Sequence, residues 1–119
     1  MSTNISDIDL DDLEDEIRRL AAETPEYVYP DASCVYVKRK LSGGLCGSCL
    51  FGVALINLGV DPEQLDVGSD TSITALLADH GFEKTPQIEW FQTVQNLQDD
   101  CYPWGRAVKM ADPYEGVGA

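Results

Sequence analysis

Apolar residues recur at helical spacing near the start of the chain. Leu10, Leu13, Ile17 and Leu20 fall at three- and four-residue steps within residues 6–20 and form one stripe of an amphipathic helix. Its first turns are acidic and its end carries Arg18 and Arg19, in keeping with the helix dipole. Thr24-Pro25 stops it, because a residue before proline is driven out of the helical region. The pattern then changes. Tyr27-Val28-Tyr29 and Cys34-Val35-Tyr36-Val37-Lys38 are β-branched and aromatic and flank the turn chemistry of Pro30-Asp31-Ala32-Ser33, which predicts a β-hairpin over about residues 27–40. Two strands are marginal alone, so the hairpin is expected to lie on helices, with Lys38, Arg39 and Lys40 reaching solvent.

Beyond the joint Ser42-Gly43-Gly44, residues 46–58 are apolar nearly all round, with Asn57 the one large polar interruption, and predict a central helix surrounded by the others. Gly59 suits the left-handed residue that ends such a helix, with Val60 folding back on it. Asp61-Pro62-Glu63-Gln64 offers a cap, a proline at the first helical position and a glutamine reaching back. Residues 70–81 read as a capped helix of about three turns ending at Gly81. Thr85-Pro86 opens another, with Ile88, Phe91, Val94 and Leu97 as its stripe, Cys101 beyond it and Trp90 off to one side. A last short helix begins near Pro103 and aligns Trp104, Ala107, Val108 and Ala111.

These elements predict an α+β fold, predominantly helical, with the hairpin packed on a small bundle around the apolar helix. At 119 residues the chain fits one domain. Within it, residues 1–22 form an acidic amphipathic helix, 23–111 the core and 112–119 a frayed tail.

Charge narrows the function classes. The formal net charge is −13; residues 1–31 hold ten acids against Arg18 and Arg19, and residues 32–119 hold eleven acids against six bases. Direct binding to nucleic acid needs clustered Lys and Arg and is not expected, nor is attachment to an anionic membrane. The N-terminus has neither the basic head nor the apolar centre of a signal peptide, which predicts a cytoplasmic protein whose four cysteines stay reduced.

Candidate chemistry centres on Cys46-Gly47-Ser48-Cys49, a Cys-x-x-Cys pair that follows a strand and opens a helix, the local context of thiol–disulfide exchange. The surrounding βαβ pattern is missing, and small buried residues are the simpler reading. A metal site would draw on Cys34, Cys46, Cys49 and Cys101, with His80 a further candidate, but structural zinc sites show two close-spaced ligand pairs and only one is present. His80, in the last turn of its helix, reads as a capping or surface histidine. Gln92, Gln95 and Gln98 form a polar ridge, either an exposed face or a source of an inward amide that satisfies Asn57. No catalytic constellation and no cofactor motif emerges.

At residues 49–60, a Cys-apolar-apolar-Gly helix with a Leu-Gly-Val stop, and again at Gln95-Asn96-Leu97-Gln98-Asp99 followed by Trp104, the chain resembles a group of small proteins of unassigned function encoded by actinobacteria and their phages. The resemblance spans most of residues 27–111, includes Cys49 but not Cys46, and leaves the acidic N-terminal helix outside. It implies a setting, with a host protein as the natural target of a phage-encoded member. The expectation is therefore a non-catalytic, protein-binding module. Leu10, Leu13, Ile17 and Trp90 are the contact candidates, since apolar stripes and aromatics anchor interfaces. A thiol-redox or zinc protein using Cys46 and Cys49, and an acidic mimic of nucleic acid, are the alternatives.

Overall fold

The computed structural model describes residues 3–30, 35–39, 41, 45–67 and 71–112. Five helices dominate. A 3-10 turn at Ile5–Asp7 leads into α1 (Leu10–Glu23); β1 (Val37–Arg39) and β2 (Leu45–Gly47) follow, then α2 (Leu50–Asn57), a 3-10 turn at Pro62–Leu65, α3 (Ile73–Asp79), α4 (Pro86–Asp99) and α5 (Trp104–Ala111). One core of buried side chains joins them, with α2 against α1 and β2, α4 against α3 and α5, and α5 against α1. Among the described residues no helix is long and apolar enough to cross a membrane.

α1 starts where the Asp9 carboxylate accepts the Asp11 N–H at 2.8 Å and ends at Thr24, whose hydroxyl donates to the Leu20 carbonyl. It runs past the two arginines, so its last turn holds no cation and Arg18 and Arg19 pair with side chains instead. Residues 3–5 are tied down separately. Thr3 N–H donates to the Gly59 carbonyl, Asp61 N–H to the Thr3 carbonyl, and the Gln64 amide accepts from Ile5 N–H and donates to Asn4. Gln64 thus reaches out to the N-terminal segment rather than back to its own cap at Asp61.

The hairpin expected over residues 27–40 is not found among the described residues. Residues 27–30 have no regular structure; the Tyr27 carbonyl accepts Trp104 N–H at 2.9 Å, and just before the segment the Pro25 carbonyl accepts Gly105 N–H at 3.0 Å. These carbonyls satisfy the first turn of α5, whose amides have no partner within the helix. The pairing that does form is a three-residue antiparallel ladder of β1 on β2, with Val37 opposite Gly47, Lys38 opposite Cys46 and Arg39 opposite Leu45. Of the turn expected at 30–33, residues 31–33 lie outside the described residues, as does the joint at 42–44.

That ladder shortens the predicted central helix. Residues 45–47 are strand, Ser48 and Cys49 donate their N–H groups to Tyr36 and Val35, and α2 begins at Leu50. A side chain at Gly52 would strike the Tyr36 carbonyl, so only glycine lets β1 lie this close to α2. Gly59 and Gly81 end α2 and α3 in the left-handed region, with Val60 and Phe82 folding back to the Leu55 and Leu77 carbonyls. α4 ends the same way, but at Cys101, with φ of 72° and no glycine.

Three glutamines of α4 organise the neighbouring helices. Gln98, fully buried, accepts Leu50 N–H at 2.7 Å and Trp104 Nε1–H at 3.1 Å on one oxygen. Gln95 accepts Ile73 N–H at 2.8 Å and donates to the Tyr36 hydroxyl, which donates in turn to the Thr71 carbonyl. Gln92 accepts both the amide and the hydroxyl of Thr74. With Ser72 capping Ala75, the first turn of α3 is fully satisfied from outside. The inward turn of Gln95 and Gln98 is real, but Asn57 is not their partner; its amide donates to Glu16 in an exposed pair. Gln98→Leu leaves two buried donors without acceptors, at a cost of roughly 1–3 kcal/mol each. Denaturant unfolding should show a loss of about 2–5 kcal/mol; a loss under about 1 kcal/mol would mean the ridge does not hold α2 and α5 in place.

Candidate functional site

The side chains singled out for contact with a partner serve the chain's own core. Leu13 and Ile17 are fully buried, Leu10 is half-buried against the same cluster, and Trp90 is 1% exposed. A helical stripe needs cover, and the other helices supply it. Trp90 lies beneath the Arg18 guanidinium, 4.5 Å from its ring centroid, and donates its indole N–H to Asp112 at 2.9 Å. Of the acids on α1, Asp11, Asp12 and Asp15 are exposed, whereas Glu14, Glu16 and Glu23 are tied to arginines.

The cysteines also depart from expectation. Cys49 is fully buried at the N-cap of α2 and is disulfide-bonded, so the four reduced thiols expected from the sequence are not found; its partner sulfur is not among the described side chains. Cys101 is free and exposed. Cys34 and the side chain of Cys46 lie outside the described residues. Among the described residues no group of three or more His, Cys, Asp or Glu is placed to hold a metal ion, and His80 is half-buried at the C-cap of α3.

An open groove lies instead between α5 and the end of α1. α5 buries Trp104, Ala107 and Val108, which turns Arg106, Lys109 and Met110 outward. Pro25 forms the facing wall, fixed by its carbonyl on Gly105 N–H and by contact so close that a Cβ at Gly105 would sit 2.7 Å from the Pro25 Cβ. The groove has a volume of about 620 Å³ and is lined by Pro25, Gly105, Arg106, Lys109 and Met110. It continues into a hollow of about 320 Å³ floored by Ala21, Ala22 and Val108 and bounded by Arg18 and Asp112. Nearby, Tyr27 is 44% exposed and its ring meets Trp104 edge-on at 4.6 Å.

The electrostatics divide this surface in two. At the α1 end Arg18 grips Asp112 through two bonds of 2.7 and 2.9 Å and Glu14 through a third. Those bonds raise the Arg18 pKa further above its ordinary range, against the cost of burial. The Arg18 guanidinium holds the Asp112 carboxyl below the usual aspartate range, burial opposes this, and the Trp90 indole adds to the lowering. At the outer end Arg106 and Lys109 form no ion pair among the described residues; Arg106 stands 5.9 Å over the Tyr102 ring. These two cations and Met110 were not recognised as site residues from the sequence. Their one signal was position, on the face of α5 opposite the Trp104, Ala107, Val108 stripe.

Because the Asp112 pKa is lower in the folded chain than in the unfolded one, its ion pair stabilises fully above the unfolded value and is lost as pH falls through the folded one. Asp112→Asn should lower stability at neutral pH by about 1 kcal/mol, given a partly exposed pair. It should also flatten the decline of melting temperature on the acid side. Parallel acid branches for the two proteins would mean that Asp112 is not a group that couples folding to pH. No protein-family model, no curated protein and no solved structure matches the chain.

Proposed function

We propose that this chain is a non-catalytic protein-binding module that receives its partner in the groove between Pro25 and α5. The observation that carries this reading is the groove itself. It is built on a helix pinned at both ends, and it presents Met110, 48% exposed, in a chain whose buried side-chain polar atoms are all satisfied among the described residues. Exposed apolar side chains gathered at a concave, rigid surface mark interaction sites. The resemblance to small actinobacterial and phage proteins supports a host protein as the partner.

A photo-crosslinking amino acid at position 110 should give a discrete adduct in actinobacterial lysate, and the same group at exposed Asp79 on α3 should not. Excess wild-type protein should suppress the adduct and excess Met110→Glu should not. Adducts of equal yield at both positions, or none at position 110, would refute the reading.

A second reading, thiol–disulfide exchange at Cys49, is favoured by its disulfide at the start of α2. Opposing it, the sulfur is fully buried and the neighbouring Leu50 N–H is spent on Gln98 rather than open to a thiolate. After mild reduction, alkylation of the native protein should modify exposed Cys101 quickly and Cys49 only on unfolding. Equal rates at the two would favour exchange chemistry.

A further inference from the structure

We infer that the groove is selective for an acidic segment of the partner carrying an apolar anchor, an inference that rests on the groove being the docking surface. Twenty-one acids against eight bases give every cation of this chain many potential partners. Among the described residues Arg18 is held by Glu14 and Asp112, Arg19 by Glu16 and Glu23, Lys84 lies 3.6 Å from Glu89, and Lys38 is also engaged. Among the cations whose side chains are described, Arg106 and Lys109 are the exceptions, and they are neighbours. Three residues apart on α5, they share one face and line one groove, with Met110 beside them and Pro25 opposite.

Two cations with no ion pair among the described residues, set around an apolar surface, are complementary to carboxylates that flank a leucine or an aromatic residue. A nucleic acid would offer the opposite charge too, but it would have to approach a body of net charge −13 with two cations to neutralise its phosphates. A short acidic segment brings far less charge. At physiological salt the screening length is about 8 Å, so contacts inside the groove outweigh repulsion from distant acids. Arg106 suits a planar carboxylate, and Lys109, in the last turn of α5, can swing toward a second one.

The test uses the full chain, labelled with nitrogen-15, and a short synthetic helix carrying leucine along one face and glutamate elsewhere, in 0.15 M salt. A matched peptide has glutamine in place of every glutamate, and sodium sulfate serves as a bare anion. The glutamate peptide should shift the amides of Gly105, Arg106, Lys109 and Met110, and bind about tenfold more tightly than the glutamine peptide. Arg106→Gln/Lys109→Gln, two exposed substitutions whose folding the same spectrum verifies, should remove that difference. Equal affinity for the two peptides would overturn the charge selectivity while leaving the groove as a docking surface. Shifts reproduced by sulfate alone would reduce the site to a simple anion contact and overturn the proposal. No shift with either peptide would overturn it as well, and the adduct at position 110 then decides separately whether the groove docks a partner at all.

Discussion

A buried helix start must find acceptors for its first amides, and for Leu50 at the head of α2 and for Ile73 and Thr74 at the head of α3 these come from a single neighbouring helix. α4 turns a ridge of glutamines inward, and their side-chain oxygens take the leading N–H groups of α2 and α3 and the indole N–H of Trp104 at the head of α5. Each such bond contributes modestly when made, and leaving it unmade in the interior costs far more. The ridge therefore specifies as much as it stabilises. A rotation of α4 by one residue would put apolar side chains against three helix starts and leave buried donors bare.

The groove inherits its shape from the same arrangement. α5 is fixed at its first turn by Gln98 on the Trp104 indole and by the Pro25 and Tyr27 carbonyls on its amides, and past its last turn by Asp112 in the grip of Arg18. Trp90 lies under that ion pair and donates to it, so an aromatic, a guanidinium and a carboxylate close one corner together. A helix of eight residues has little intrinsic stability, and its anchors come from three other parts of the chain. The outward face of α5 is thereby anchored without being covered by any described residue, as a preorganised recognition surface requires.

What could be read along the chain was what depends on neighbours in sequence. The Thr85 cap, the proline after it, the glycine stops at residues 59 and 81 and the α1 stripe all follow from local geometry, and each stands where expected. Long-range competition decided the rest. The Tyr27 segment has strand composition, yet the Tyr27 carbonyl went to α5. Trp90 sits to one side of the apolar stripe of α4, away from the glutamine ridge, and nothing nearby announces that Arg18 will cover it. The inward turn of the glutamines was legible as a need for partners, while the partners, backbone amides of other helices, carry no residue signature. Cys101 ends α4 in a conformation that costs a side-chain-bearing residue about 1–2 kcal/mol, and no glycine marks the place. The groove was visible only as the complement of a buried stripe.

Net charge and groove bear on each other in a way neither does alone. A body with a large excess of acids resists self-association and repels acidic surfaces over most of its area. On the proposed reading, two cations with no ion pair among the described residues bind a single carboxylate no more strongly than they would elsewhere, yet they offer an acidic segment a favourable approach. Repulsion from the surrounding acids then acts as selection against wrong orientations, and short-range attraction at Arg106 and Lys109 needs only to exceed it locally. Specificity arises from the difference between groove and surroundings, so adding cations elsewhere on the surface would weaken discrimination even while it raised overall affinity for acidic ligands.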